Sequence, residues 1–134
     1  MRAALAAVLA PAAPAGWSVE RSRDRPVDLD EMPVVLLGVR REIATPDGNC
    51  LPLRRDLAVE ITAHLTADRA SDIEDALDAA SLWIELAIAA DPTLGGAARE
   101  ALYRGADLEP VTGGELPAGR VTLSFDIRVS APVA

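Results

Sequence analysis

Residues 53–90 read LRRDLAVEITAHLTADRASDIEDALDAASLWIELAIAA, and this stretch holds the two hydrophobic patterns that decide the fold. In its first part, apolar side chains alternate with polar ones. The odd positions are Leu53, Leu57, Val59, Ile61, Ala63 and Leu65, with Arg55 as the exception, and the even ones include Arg54, Asp56, Glu60, Thr62, His64 and Thr66. A period of two over this length predicts a β-strand with one buried face and one polar face.

The rest of the stretch predicts a long amphipathic helix. Its apolar residues recur at three- and four-residue steps: Ile73, Leu77, Ala80, Ile84, Ala87 and Ile88. Ser71 and Glu74 have the spacing of a capping box, so we expect the helix to begin there and to end near residue 90. Leu82, Trp83 and Leu86 lie partly off this stripe. The apolar face is therefore wide, and we expect it to contact a second surface besides the sheet.

The segment DPTLGG, residues 91–96, follows the predicted helix. Asp91 precedes Pro92, and a residue before proline is pushed out of helical geometry. Gly95 and Gly96 permit a sharp change of direction. We therefore interpret this segment as a turn that ends the helix and leads into a strand, without catalytic chemistry of its own.

Other segments complete the pattern of strands. Residues 17–19 begin an extended segment, residues 34–44 form a strand, and residues 45–52 (TPDGNCLP) form a turn. Residues 101–108 return as a strand, with Leu102, Ala106 and Leu108 on one side, and residues 109–119 connect it to the last strand. That strand alternates again, with an inner set of Val121, Leu123, Phe125, Ile127 and Val129.

This order of elements predicts an α+β fold: an antiparallel β-sheet packed against one long amphipathic helix, with a short N-terminal helix. The 134 residues suffice for a single domain, 1–134, with one core. We expect that core to contain Leu57, Val59, Ile61, Leu77, Ile84, Leu123, Phe125 and Ile127. Residues 1–15 allow two interpretations, an amphipathic helix shortened by Pro11 and Pro14 or a cleaved secretory segment. The short, Ala-rich apolar run fits the helix better.

Composition narrows the possible functions. The formal net charge is −8 and every basic residue is Arg, so the chain lacks the basic surface of a nucleic-acid-binding protein. The single Cys50 rules out an internal disulfide. No apolar run approaches the ~20 residues of a membrane span.

The reactive residues do not form a recognisable catalytic or cofactor motif. Cys50 and His64 could form a nucleophile–base dyad, but no third group is placed to orient them, and His64 is better explained as a residue of the polar strand face. The acidic loop Asp24, Asp28, Asp30 and Glu31 lacks the glycine and terminal glutamate of a calcium loop. The glycines Gly113, Gly114 and Gly119 precede a strand, not the helix that a phosphate-binding loop requires. We therefore predict no catalytic residue, no cofactor and no metal site.

Two arginine pairs, Arg40–Arg41 and Arg54–Arg55, flank the predicted turn at 45–52. They could form a basic patch at a hairpin tip that meets an acidic partner, because Arg makes bidentate contacts with carboxylates. Solubilising charge at the strand ends explains them equally well. A partner interface at Arg40, Arg41, Arg54 and Arg55 is the site prediction that the sequence supports.

The order of elements also carries a family resemblance. The opening ALAAVLAPAAPAGW (residues 4–17), the strand LAVEITAHL (57–65), the helix exit ADPTLGG (90–96) and the last strand RVTLSFDIRVS (120–130) occur in sequence. In this respect the chain resembles the tail terminator, or minor tail completion, proteins of long-tailed bacteriophages and of phage-like particles such as gene transfer agents. The resemblance spans nearly the whole chain. Pro11, Pro14 and Cys50 depart from it.

The resemblance implies a structural function and no enzymatic one. Such proteins assemble in the bacterial cytoplasm as a homohexameric ring, which caps the finished tail tube at the tail–neck junction of the particle. The implied partners are further copies of the chain, the tail tube protein and the head-side connector, with DNA passing through the ring without specific binding. No membrane is involved. Three alternatives remain open: another head–tail connector or stopper, a small cytoplasmic enzyme or ligand-binding domain, and a secreted periplasmic domain.

Overall fold

A computed structural model describes residues 1–23, 25–47, 50–111 and 116–130, with backbone alone at residues 46, 47, 50–53 and 130. The described part has two α-helices and five strands: α1 (Arg2–Ala12), β1 (Ser18–Arg21), β2 (Val34–Asp47), β3 (Cys50–Thr66), α2 (Ile73–Ala90), β4 (Glu100–Val111) and β5 (Ala118–Ser130). The α+β fold with one long helix and a short N-terminal helix is confirmed. Residues 131–134 lie outside the described part, as do residues 24, 48, 49 and 112–115, which include Gly113 and Gly114.

The five strands form one sheet in the order β1-β2-β3-β5-β4. Three neighbouring pairs are antiparallel, as the sequence predicts, but β1 runs parallel to β2. The reason is the connection between them: the chain leaves β1, crosses back through residues 22–33, and enters β2 in the same direction. Parallel neighbours require a crossover of this kind, whereas a tight hairpin would make them antiparallel.

Both helices pack on one face of the sheet, which we call the inner face. All eight predicted core residues are buried there. Leu5 and Leu9 of α1 add two side chains with no exposed area, so the N-terminal segment folds as a helix that contributes to the core. The alternating residues of β3 and β5 supply the sheet side of this core, because successive side chains of a strand point to opposite faces.

Helix α2 lies very close to the sheet at its first turns. A β-carbon added to Gly119 of β5 would come within 3.0 Å of Leu77 Cδ1 and within 3.3 Å of Ile73 Cγ1. The backbone carbonyl of Glu109 in the neighbouring strand would lie 3.1 Å away. Gly119 therefore serves the packing of helix on sheet.

The start of α2 differs from the predicted capping box. A short 3₁₀ turn, Ala70–Asp72, leads into the helix, and no side chain caps the helix at its first residues. The residue that precedes the helix is Asp72, not the predicted Ser71, and its backbone angles (φ −95°, ψ −9°) are helical, whereas a capping residue is typically extended. Ser71 lies inside the 3₁₀ turn and is therefore not placed to cap.

The end of α2 shows how DPTLGG redirects the chain. A carboxylate oxygen of Asp91 accepts a hydrogen bond from the Gly95 backbone N–H at 2.9 Å, and the other accepts one from the Thr93 hydroxyl at 3.3 Å. Gly95 has a positive φ of 69°, which glycine adopts without strain. The turn carries Leu94 into the core beside α1, with 3% of its surface exposed. The segment thus ends the helix and also anchors it.

Two β-bulges shift the register of β2 against β3 and of β4 against β5. One lies in β2 between Val39 and Arg41, and the other lies in β4 between Tyr103 and Gly105. The second bulge overturns the prediction that Leu102, Ala106 and Leu108 share one side. Ala106 and Leu108 pair with inner-face residues of β5, whereas Leu102 pairs with Asp126 on the opposite face.

The predicted turn at 45–52 is shorter than expected. Strand β2 continues to Asp47 and β3 begins at Cys50, with Pro46 paired to Leu53 and Asp47 to Cys50. The register shifts between Pro46 and Asp47, and such an irregular position accommodates a proline, which has no N–H for a ladder bond. The final described pair of β3 with β5 is Arg54 with Ser130, so the hairpin end has no third strand beside it among the described residues.

Candidate functional site

The face of the sheet opposite the helices, which we call the outer face, is polar. Residues that pair across neighbouring strands share a face. Two rows crossing β2, β3, β5 and β4 are Ile43–Asp56–Arg128–Glu100 and Arg41–Ala58–Asp126–Leu102. The even positions of β3 and β5 that the sequence predicts to be polar therefore line this face.

Ion pairs cover much of the outer face. Five of those in the described part of the chain join neighbouring strands: Arg40–Glu60 at 2.7 Å, Arg128–Asp56 at 3.4 Å, Arg128–Glu100 at 3.1 Å, Arg120–Glu109 at 2.7 Å, and Arg104–Asp126. Arg54–Asp56, at 3.4 Å, lies within β3. These side chains are in contact with solvent, and an exposed ion pair contributes at most about 1 kcal/mol. Their main effect is to leave few charges on this face free for another partner.

The two bulges place two arginines over the outer face. Arg40 is the extra residue of the β2 bulge, and Arg104 is the extra residue of the β4 bulge. Each side chain extends along the outer face toward the middle of the sheet and binds an acid on a central strand, Arg40 to Glu60 and Arg104 to Asp126. Bulges commonly re-aim a side chain in this way. Gly105, at φ 145°, supplies the backbone conformation that the β4 bulge requires.

A shallow groove of about 320 Å³ lies on the outer face between the two bulged strands. Ala58 forms part of its floor, and its walls include Ile43 of β2 and Leu102 of β4. Both wall residues are unusually open for apolar side chains, with 41% and 43% of their surfaces exposed. Arg41, Arg104 and Arg128 line the groove together with Asp56, Glu100 and Asp126. These acids bind Arg104 and Arg128, so among the described residues of the groove the charge of Arg41 is the one left over beside the exposed apolar area.

Arg41 differs from the other arginines of this groove. Arg104 and Arg128 are held by acids of the sheet. Arg41 is exposed and makes no ion pair with any residue in the described part of the chain. A free guanidinium beside exposed apolar side chains can bind a carboxylate through two parallel hydrogen bonds.

The structure separates the four predicted interface arginines. Arg40 and Arg54 lie on the outer face and pair with Glu60 and Asp56. Arg55 points to the other face, since it pairs in register with Val129 and binds Glu42 at 2.8 Å. Within this set, Arg41 alone is uncommitted among the described residues. Sequence inspection missed Ile43, Leu102, Arg104 and Arg128 as its neighbours, because the bulges that bring them together leave no clear signal in the sequence.

A second cavity, of about 560 Å³, lies toward the other end of the outer face. His64 and Arg120 line it from paired positions of β3 and β5, and Arg23 lines it from the loop after β1. Burial lowers the pKa of His64 below its ordinary value, and the charges of Arg120 and Arg23 lower it further. His64 thus belongs to the polar strand face, as predicted.

The backbone places Cys50 and His64 too far apart for a dyad. Both belong to the single extended strand β3, at its two ends. A strand rises about 3.3 Å per residue, so fourteen residues separate them by roughly 45 Å. The side chain of Cys50 lies outside the described part.

The acidic loop is tied to arginines. Carboxylate oxygens of Asp28, Asp30 and Glu31 come within 4.8 Å of one another, and Asp24 lies outside the described residues. Glu31 accepts ion pairs from Arg23 at 2.6 Å and from Arg25 at 3.1 Å. The Asp28 backbone N–H donates to Glu31, and this bond, with the two guanidinium groups, lowers the pKa of that carboxyl. The guanidinium groups of Arg23 and Arg25 thus already offset part of the negative charge of this acidic cluster.

The apolar residues of α2 that lie off its main stripe, Leu82, Trp83 and Leu86, are found in two different environments. Trp83 packs edge to face against Trp17, with ring centroids 5.5 Å apart, and so ties the helix to the segment before β1. Leu82 and Leu86 point away from the sheet and remain 55% and 58% exposed. The expectation of a second contact surface is therefore met in part by Trp17 within the chain.

Neither described helix combines the length and the hydropathy that a membrane crossing needs. No protein-family model matches the chain. Comparison with curated proteins also finds no match. Among solved structures, the fold is similar to a chain in the structure titled "Virion of native gene transfer agent (GTA) particle". The two share 14% identity at a TM-score of 0.42, and the similarity covers 95% of this chain and 84% of that one.

Proposed function

We propose that the protein is a structural component of a phage or phage-like particle, in which copies form a ring that caps the tail tube. The ring ends tail polymerisation and joins the tail to the head-side connector. The sequence resemblance to tail terminator proteins suggests this role. The structural observation that carries it is the outer face: a sheet surface without helices, with a groove, two exposed apolar side chains and an arginine that has no ion pair among the described residues, all suited to protein contacts.

The edges of the sheet support assembly with further copies. A ring subunit needs two different lateral surfaces that complement each other. The sheet ends in the four-residue β1 on one side and in the twelve-residue β4 on the other. Several large apolar side chains of β4 are open: Leu102, Tyr103, Leu108 and Val111. A long edge strand with exposed apolar residues favours contact with another chain.

The hairpin of β2 and β3 supports contact with the tube. Its residues 46, 47 and 50–53 extend past the last described pairing of β3 with β5. A hairpin end that projects in this way can reach a surface that the body of the domain does not meet. Arg41 and Arg54 lie on the outer face toward this end, which supports a contact between Arg41 and a partner there.

The charge distribution suits a channel for DNA. The net charge is −8, and most outer-face arginines are already paired with acids. Phosphate contacts depend on free Lys and Arg, so such a surface holds DNA weakly. We therefore propose that DNA passes through the ring without specific binding.

Electron microscopy of particles tests this function. In cells that lack the gene, we expect tails of irregular length that fail to join heads. Arg41→Glu should produce the same defect in a folded protein. Charge reversal at Arg40 or Arg54 would be harder to interpret, because it would also break an ion pair within the chain. Arg69→Glu is the matched control, because Arg69 is exposed and has no ion pair in the described part.

Two outcomes would change the assignment. Particles of normal tail length and normal attachment in cells without the gene would overturn the structural role. Tails of uniform length that fail to join heads would replace tube capping with a connector or stopper role.

A further inference from the structure

The outward side of α2 forms an acidic apolar ridge. Its apolar members are Ala79, Leu82, Leu86 and Ala89, spaced at three and four residues along the helix. Leu82 and Leu86 expose more than half of their surfaces. Asp75 and Asp78 flank them as exposed acids, and no residue of the helix is basic. The ridge thus presents two leucines in a negative environment.

The outer-face groove has the complementary properties. Its walls carry the open apolar side chains Ile43 and Leu102, and Arg41 lies beside them without an ion pair among the described residues. Leucines of the ridge can cover the apolar walls, while an acid of the ridge can accept hydrogen bonds from Arg41. Arginine recognises carboxylates in this bidentate manner, and burial of the apolar contact strengthens the pair.

We propose that the α2 ridge of one copy docks in the Arg41 groove of a second copy. This inference rests on the proposed function in that it supplies a contact between neighbouring subunits. The ridge and the groove lie on opposite faces of the same sheet, so they cannot meet within one chain. The contact is therefore heterologous: each copy offers its ridge to one neighbour and its groove to another. Such a contact produces a closed ring when the rotation between copies closes.

Charge complementarity favours a second copy as the occupant. A helix without any basic residue repels an acidic surface, and this chain is acidic overall. In the groove the acids are bound by Arg104 and Arg128, which leaves Arg41, among the described residues, as an arginine able to bind a carboxylate from the ridge of a second copy. Asp78 lies four residues before Leu82 on the same side of the helix, which makes it the acid best placed to meet Arg41.

Disulfide trapping between two differently tagged proteins tests the contact directly. The pair is Leu86→Cys in one protein and Leu102→Cys in the other, both in a Cys50→Ser background. Under mild oxidation we expect the mixed dimer to form at least about tenfold faster than with a matched control, Leu86→Cys with Val111→Cys. Val111 is 56% exposed on the same strand as Leu102 but lies away from the groove. Equal rates for the two mixtures, or faster dimerisation of Leu86→Cys with itself, would overturn the proposal.

A charge swap provides the second measurement. Arg41→Asp and Asp78→Arg should each slow trapping by roughly tenfold, since each leaves one charge without its partner. When both tagged proteins carry both substitutions, the trapping rate should be restored, because every interface then contains the reversed charge pair. A double variant that is as slow as the single variants would show that these two residues do not meet.

The two proposals fail separately. Trapping uses purified protein, whereas the capping role is tested in particles. Efficient ridge–groove trapping together with normal particles in cells lacking the gene would support this contact and overturn the capping role. Defective tails without the gene, together with no preferential trapping, would support the capping role and overturn this contact.

Discussion

Gly119 of β5 lies directly against Leu77 of α2, so closely that a β-carbon on the glycine would come within 3.0 Å of Leu77 Cδ1. The contact places the first turns of the helix against the backbone of the sheet. The Glu109 carbonyl of the neighbouring strand would lie 3.1 Å from that β-carbon, so the added carbon would also crowd the backbone of the sheet. The position of α2, and with it the direction of its outward ridge, depends on this close approach.

Gly119→Ala should therefore destabilise the fold by about 1–3 kcal/mol, which is the usual cost of overpacking a core. Urea denaturation measures the change. In a Leu77→Ala background, the same substitution should cost less, because the removed leucine leaves space for the new methyl group. An identical cost in both backgrounds would assign the strain to the strand backbone, and no cost in either would contradict the close packing.

Phe125→Ala should cost on the order of 3–5 kcal/mol, because it opens a cavity in the core. Phe125 is 2% exposed, and its ring lies 5.4 Å from that of Tyr103. Leu102→Ala on the outer face is the control and should cost under about 1 kcal/mol. Chemical denaturation of both variants decides the matter: a loss well under 1 kcal/mol for Phe125→Ala would mean that the inner face is assigned to the wrong residues.

His64 should make stability fall as the pH drops below about 6.5. Its pKa in the folded protein is lowered by burial and by Arg120 and Arg23, so the unfolded chain takes up the proton first. The contribution is present above the ordinary pKa and is lost as the pH falls toward the folded value. His64→Gln should flatten the change of the urea midpoint between pH 7.5 and 5.5. An unchanged slope in the variant would show that other groups cause it.

Asp91→Ala should destabilise the protein by about 1 kcal/mol, the typical value of a lost hydrogen bond. The substitution removes the acceptor for the Gly95 N–H and the Thr93 hydroxyl, and so loosens the turn that buries Leu94. Asp91→Asn keeps one acceptor oxygen and should retain most of the stability. If thermal and urea denaturation show equal losses for the alanine and asparagine variants, the carboxylate hydrogen bonds are not what holds the turn.

Much of the inner face could be predicted from the sequence. The alternation in residues 57–65 and 121–127 and the helical stripe from Ile73 to Ile88 correspond to buried side chains. These patterns are local, and a strand or helix with one apolar face must bury that face. The exit at Asp91 could also be predicted, because proline and glycine act on the backbone of their immediate neighbours.

The candidate site could be predicted only in part. The arginine pairs stood out in the sequence, but two of the four, Arg40 and Arg55, bind acids on another strand that the sequence does not connect to them. Arg40 and Glu60, for example, are twenty residues apart along the chain. Only the pairing of strands decides which charges meet, and that pairing left Arg41 uncommitted within the described residues.

The sequence by itself therefore determined that residues 57–65 and 121–127 are strands, that residues 73–90 form a helix, and which of their faces is buried, because those properties follow from side-chain periodicity and backbone preference within a few residues. Tertiary structure alone decided the parallel placement of β1, the bulges at Arg40 and Arg104, and the presence of Leu102 on the outer face. These features depend on register between strands that are distant in the chain. A shift of one residue in that register moves a side chain to the opposite face of the sheet, and no local pattern specifies it.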